Sequence, residues 1–296
     1  MKLLKILFVI LVGSMELTVS SCDLKKDDED TIVRDPRLRE FRYYYEDDYP
    51  GSDDSSVICV TYNDRNLVKS MADTIVSLEI DYDERGLILQ MRVQEKEEQD
   101  YFIDYAWSDN SVTLTESEYP NGKLVFQLNT DGNVVRMDSY SMFELQWYLN
   151  WYTVYFWENH NLVRTEFWEP LDKESSVKNN RYRPFPLMIS DFKALFGGKN
   201  VTGAKQNFYK SVVVEYNYDA KKNPFRDIQL YWFTEVGYYA SVNNVKSYTS
   251  TVYRTNGETD GVYNSEFTLN YNQENYLSEK LDIHEDWFTR EVYFYE

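Results

Sequence analysis

The sequence predicts an all-β protein, a large antiparallel meander of hairpins that closes into a curled sheet or partly closed barrel. Three observations predict it. Apolar and polar residues alternate with a period of two along most of the chain, as half-buried strands require. Turn residues interrupt that alternation at roughly 20-residue spacing, a loose structural repeat. Aromatic residues reach 17%, with 27 Tyr, 16 Phe and 7 Trp, and large rings pack well on a pleated surface.

The N-terminus sets the expected compartment. Met1–Lys5 is short and basic, and Ile6–Val12 is an apolar run too short to span a bilayer, the pattern of a secretory leader. It ends on Val19-Ser20-Ser21-Cys22, which resembles a bacterial lipobox. Residues 1–21 are therefore expected to be a lipoprotein signal peptide, with Cys22 lipidated and the protein attached to a membrane through it. Residues 22–37 read as an acidic tether. Its Asp23-Leu24-Lys25-Lys26-Asp27-Asp28-Glu29-Asp30 resembles the export signal that takes Bacteroidetes lipoproteins to the outer face of the outer membrane.

Charge narrows the partners. A net charge of −19 argues against nucleic acid and against docking on an anionic membrane by charge. With Cys22 acylated, Cys59 is expected to be a lone buried thiol without an intramolecular disulfide.

Residues 38–296 read as a single antiparallel β domain. Leu38–Tyr45 is a first strand with Phe41, Tyr43 and Tyr45 on one face. Glu46–Asp54 is an acidic loop whose carboxylates lack the fixed offsets of a calcium loop, so no metal is assigned. Val57–Tyr62 follows, then Val76–Tyr82 and Leu87–Val93 across Asp83-Glu84-Arg85-Gly86. Tyr101–Trp107 pairs with Ser111–Ser117, and Lys123–Asn129 pairs with Asn133–Tyr140 across Thr130-Asp131-Gly132. Met142–Trp151 is less regular and admits a helical turn. Tyr152–Trp157 and Leu162–Trp168 form a hairpin across Glu158–Asn161. Pro170–Arg183 is a polar loop, and one short helix is expected near 190–196, with Ser190 as N-cap and Gly197-Gly198 as stop. Ser211–Trp232 reads as a strand, a turn at Asp219–Pro224 and a returning strand from Phe225. Ser247–Thr255, Glu266–Tyr271, Leu277–Ile283 and Arg290–Tyr295 complete the set.

Tyr216-x-Tyr218-Asp219, Asn223-Pro224-Phe225, Ile228 and Ser241-Val242-Asn243-Asn244-Val245 resemble the recurring pattern of Bacteroidetes lipoproteins of unknown function with a porin-like domain. The resemblance implies a large curled or partly closed antiparallel sheet and brings no catalytic residues. Strand faces carrying Glu79, Asp81, Gln90 and Arg92 argue against strands that face lipid.

Few constellations carry chemistry. The two histidines, His160 and His284, have no partners that sequence places, so neither a zinc site nor a Ser-His-Asp triad is assigned. Gly197-Gly198-Lys199 follows a helix, where glycine is a stop and not a phosphate loop. Trp147, Trp151, Trp157 and Trp168 are four of the seven tryptophans and the candidate ligand-stacking set, with core packing as the competing role. The expectation is a non-catalytic, outer-membrane-anchored binding lipoprotein without a cofactor, taking a glycan, a peptide or an envelope protein. The alternative is a structural or accessory lipoprotein with no small-molecule site.

Overall fold

The structure, a computed structural model, describes residues 37–47, 54–96, 98–171, 207–226, 240–284 and 287–296. The described residues all belong to one compact unit, Pro36–Glu296. They form sixteen strands: β1 (Leu38–Asp47), β2 (Asp54–Tyr62), β3 (Val68–Ala72), β4 (Val76–Tyr82), β5 (Ile88–Glu95), β6 (Tyr101–Ser108), β7 (Ser111–Glu116), β8 (Gly122–Leu128), β9 (Val134–Phe143), β10 (Gln146–Glu158), β11 (Asn161–Pro170), β12 (Phe208–Lys222), β13 (Asn243–Tyr253), β14 (Thr259–Tyr271), β15 (Leu277–Ile283) and β16 (Trp287–Tyr295). Each strand pairs antiparallel with its sequence neighbours, and β1 pairs with β16, closing the barrel. Closure removes both sheet edges, the feature that leaves open sheets prone to pairing with other chains.

The alternation read in the sequence becomes an inside and an outside. In β4–β8, Leu78, Ile80, Met91, Val93, Ile103, Tyr105, Leu114, Leu124 and Phe126 share the inner face and belong to one apolar core. Met91, Val93, Ile103, Val112 and Phe126 are 0% exposed. A barrel of this strand number left open would hold an aqueous channel, and water in it would wet those side chains. The interior along these strands is therefore filled. The outer wall is polar: Glu79 lies 3.7 Å from Arg92, which bonds Asp100 at 2.5 Å, and Gln90 donates to Asp104 at 2.6 Å. A membrane-spanning barrel has the reverse distribution, apolar outside and polar within. Among the described residues, no helix is long and apolar enough to cross a membrane.

The repeat has a mechanical meaning at the rim that carries the start of β1 and the end of β16, where Arg37 and Glu296 form a 3.0 Å ion pair. At this terminal rim a ring near the end of an even-numbered strand donates to a carbonyl at the start of the preceding strand. Tyr62 bonds Leu38 O at 2.8 Å, while Tyr82, Trp107, Trp157 and Tyr295 bond Val68, Ile88, Val134 and Leu277 O at 2.7 Å each. Tyr218 does the same to Leu162 O at 2.5 Å. Register shifts directly precede Tyr62, Tyr82, Trp157 and Tyr218. Such a bulge re-aims the next side chain, here bringing the ring over its neighbour's first turn.

Turns repeat as well. Asn63, Asp83, Asn129 and Asn272 each accept two backbone N–H bonds on Oδ1, from residues two and four positions on. The third residue on, respectively Asn66, Gly86, Gly132 and Asn275, has positive φ, a geometry that glycine and asparagine tolerate best.

Several expectations are corrected. The barrel is fully closed rather than partly so. Val68–Ala72 is an additional strand, β3, too short at five residues for its alternation to register in the sequence. Met142–Trp151 contains no helical turn; β9 and β10 pair up to Phe143↔Gln146. In the Ser211–Trp232 stretch, β12 continues to Lys222, past the expected start of the turn, and is flanked by β11 and β13; Phe225 lies in the turn that follows, and residues 227–232 of the expected returning strand lie outside the described residues. Cys59 is half-buried between the core residues Ile58 and Val60 rather than fully buried. The remaining cysteine of the sequence, Cys22, lies outside the described residues, as do the acidic-loop residues 48–53 and the helix expected near 190–196.

Candidate functional site

The four tryptophans do not share a face. Trp151 and Trp157 pack against the core, and Trp157 Nε1 is held by Val134 O. A register shift at Leu149/Trp151 turns Trp151 inward, away from the side on which Trp147 lies. Trp147 and Trp168 point outward and belong to a row of rings and cations over β8–β12. Tyr152 stacks on Trp168 with centroids 5.6 Å apart and planes at 9°, and meets Phe208 edge-on at 5.3 Å. The guanidinium of Arg136 lies 3.9 Å from the Tyr152 centroid and is fixed by a 2.7 Å bond to Asp138. Lys123 Nζ sits 4.2 Å from the Trp147 ring and 5.2 Å from Tyr140. Lys210 and Arg164 both reach Glu166 Oε1. Alternation explains the row: Tyr152, Trp168 and Lys210 are successive cross-strand partners, and Arg136 lies diagonal to Tyr152, two residues from its partner Asp138.

This geometry limits the chemistry. Flat stacking on a sugar needs a free ring face. Tyr152 is clamped between Arg136 and Trp168, so the row presents ring edges and cation stems. Trp147 alone of the four is exposed, at 39%.

The described motif residues, 216–226 and 241–245, form a structural knot. Asp219 Oδ1 accepts from Lys221 N and Asn244 N at 3.0 Å each, and its Oδ2 accepts from Tyr271 OH. Ser241 Oγ donates to Tyr218 OH at 2.9 Å and accepts from Leu162 N at 3.1 Å. Asn161 and Asn243 bond each other twice, at 3.0 Å. Asn223 Oδ1 holds Phe225 N at 3.0 Å and its Nδ2 holds Ser241 O at 3.1 Å. The turn so fixed drives Phe225 into the barrel, where it meets Phe41 at 5.4 Å and Tyr293 at 5.7 Å.

One polar group faces inward that sequence reasoning missed. His284 Nε2 is 2.9 Å from Asp282 Oδ1, Ser265 Oγ donates to the same oxygen at 2.6 Å, and His284 stacks on Trp287 at 3.9 Å. Asp282 and His284 are two apart on one strand, the readable signal; Ser265 joins them only through pairing of β14 with β15. The group is not a charge-relay triad. Both Asp282 and Ser265 address Nε2, whereas a relay uses one ring nitrogen for each. Beside it, Lys280 and Glu291 form a buried 2.9 Å ion pair, and Tyr293 OH donates to the other Glu291 oxygen. His160 sits exposed in the β10–β11 turn with positive φ. Among the described residues, no group of three metal-ligating side chains comes together.

Fold and surface together define a closed antiparallel barrel whose interior is apolar and filled along β4–β8, with a polar wall outside those strands. No family model matches the chain, and no curated protein matches it. Among solved structures it is similar to a porin-like protein from Bacteroides uniformis, at 9% identity and a TM-score of 0.35, over 88% of this chain and 98% of that one. It is also similar to the TcdB2–TccC3 complex, at 11% identity and a TM-score of 0.27, over 79% of this chain but 13% of that one. A Photorhabdus luminescens Tc holotoxin pore matches at 10% identity and a TM-score of 0.26, over 79% of this chain and 12% of that one.

Proposed function

We propose that this protein is an outer-membrane lipoprotein, anchored through Cys22 and exposed at the cell surface, that binds an envelope protein partner without catalysis. The observation that carries the binding reading is the outward row of rings and cations on β8–β12. Upright rings flanked by Arg136, Lys123 and Lys210 suit the side chains and carbonyls of a protein surface better than the flat face of a sugar. The leader, the Val19–Cys22 lipobox and the acidic tether support the anchor, and their likeness to Bacteroidetes lipoproteins supports the outer face. The non-catalytic reading is supported by the arrangement at His284, where one ring nitrogen serves both partners. The filled interior favours a second reading, an accessory barrel with no small-molecule site.

Two experiments test this. Mass spectrometry of the peptide carrying Cys22 should show it acylated; a Cys22–Cys59 disulfide in its place overturns the anchor, because one sulfur cannot do both. Cross-linking in intact cells should join the wild type to one defined envelope protein, and Tyr152→Ala/Trp168→Ala should lose that product while remaining folded. Unchanged cross-linking, or competition by a soluble glycan, refutes the protein-binding row.

A further inference from the structure

We propose that the first half of β14 pairs with the same strand edge of a second copy of this chain, antiparallel about a two-fold axis through Val262. The barrel wall has a step there. The last residue pair that β14 makes with β15 at this end is Phe267↔Asp282. The β15–β16 hairpin then turns back at once, with His284 N bonded to Trp287 O at 2.9 Å. β14 begins earlier, at Thr259, paired with β13. Thr259–Asn264, about 20 Å of strand, thus has β13 on one side and no described strand on the other.

Both faces of this stretch reach solvent. Val262 is 54% exposed, and Tyr263, on the opposite face, is 56% exposed. Such an edge presents backbone N–H and C=O groups to any strand that can pair with it, and proteins blunt it with lysine or proline. Thr259-Asp260-Gly261-Val262-Tyr263-Asn264 holds neither. Its one charge is already countered, because Arg254 Nε donates to Asp260 Oδ1 at 2.6 Å.

The order of the residues selects the occupant. In an isologous pair residue i meets j and j meets i. An axis through Val262, perpendicular to the sheet, sets Val262 against its own copy, Gly261 against Tyr263 and Asp260 against Asn264. Tyr263 already lies over Gly261 of its own strand: a Cβ there would come within 3.0 Å of the Tyr263 OH and 3.2 Å of its Cζ. In the dimer the same ring flanks Gly261 of the second copy, an aromatic residue covering a bare glycine across the strand pair. Asn264 Oδ1 accepts from Thr249 Oγ1 at 2.7 Å, which leaves its amide N–H groups to donate to Asp260 Oδ2. Asp260 is the extra residue where β14 shifts register against Val252 and Tyr253, so regular pairing spans Gly261–Tyr263 and this polar pair closes each end. Other axes fare worse. Centred on Tyr263, the pairing sets Asp260 against Glu266; centred on Gly261, it sets Asp260 against Val262. The edge is separate from the outward row on β8–β12, and the pairing does not rest on the lipid anchor.

The test is sedimentation velocity on the full chain with Cys22→Ala, so that no acyl chain drives association. The chain should form a reversible dimer, tighter at high salt because each copy carries a net charge of −19. Val262→Glu and Val262→Lys should each raise the dimer Kd about tenfold, since like charges then meet on the axis. An equimolar mixture of the two should dimerise again, which also shows that each variant is folded. Tyr152→Ala/Trp168→Ala, on the outward row, should leave the dimer intact. A chain that stays monomeric at every concentration, a dimer indifferent to both Val262 variants, a mixture no tighter than its components, or a dimer dissolved by the row variant overturns the proposal.

Discussion

At the residue scale, the inner face of β15 and β16 holds the largest electrostatic commitment. Lys280 and Glu291 have side-chain exposures of 6% and 3%, so their pairing offsets a desolvation cost that neither could meet alone. Lys280 Nζ also lies 4.1 Å from the Phe267 centroid. Lys280→Met should cost about 3–5 kcal/mol by leaving Glu291 buried and unpaired, while Lys280→Met/Glu291→Met should recover most of the loss. Urea melts of both variants check it; equal destabilisation would show that the lysine acts by packing alone. Phe225 offers a second measure. Its ring fills the barrel against Phe41 and Tyr293, so Phe225→Ala should lower stability by about 3–5 kcal/mol, again read by urea melt.

At the scale of elements, the strand and its terminal ring form the repeating unit. Each ring satisfies a carbonyl of the preceding strand at the rim. Tyr82→Phe keeps the ring and removes the bond to Val68 O, so it should cost about 1 kcal/mol. The buried phenols also set an alkaline limit. Burial raises the pKa of Tyr82, Tyr218 and Tyr295 above the ordinary 10.0, and pushes Tyr209 up to about 12, with Glu169 adding to the effect. A raised folded value means that stability is intact below pH 10 and falls as pH rises toward the folded values. Tyrosinate absorbance for these residues should therefore appear together with loss of the β circular dichroism signal; ionisation near pH 10 without unfolding would contradict it.

The same elements show what sequence could reveal. Hairpins joined by Asp83–Gly86 and Thr130–Gly132 were legible because their turn residues and alternation report local geometry. β3 was too short for its alternation to register. In the Ser211–Trp232 stretch Asn223-Pro224 does end the strand, but which segment pairs with β12 is settled 20 residues later, by β13. The tryptophans illustrate the limit for the site. Spacing alone would put Trp147, Trp151 and Trp157 on one face of β10, but the bulge at Leu149/Trp151 resets the parity and separates the first from the other two. Asp282 and His284 were readable as neighbours, whereas Ser265 required the register of another strand.

At the scale of the whole molecule, the account turns on which side of the wall is dry. Sixteen strands in a closed ring invite comparison with a pore, but the inner wall of β4–β8 is apolar and sealed, and the outer wall carries paired charges. Substituted-cysteine labelling with a water-soluble maleimide, in cells carrying the anchored protein, addresses this directly against the wild-type background. Val93→Cys and Ile103→Cys, at inner positions, should stay unlabelled, and Asp104→Cys and Thr113→Cys, at outer positions, should label readily. Labelled inner positions with protected outer ones would make this barrel a water-filled pore in lipid and contradict the account.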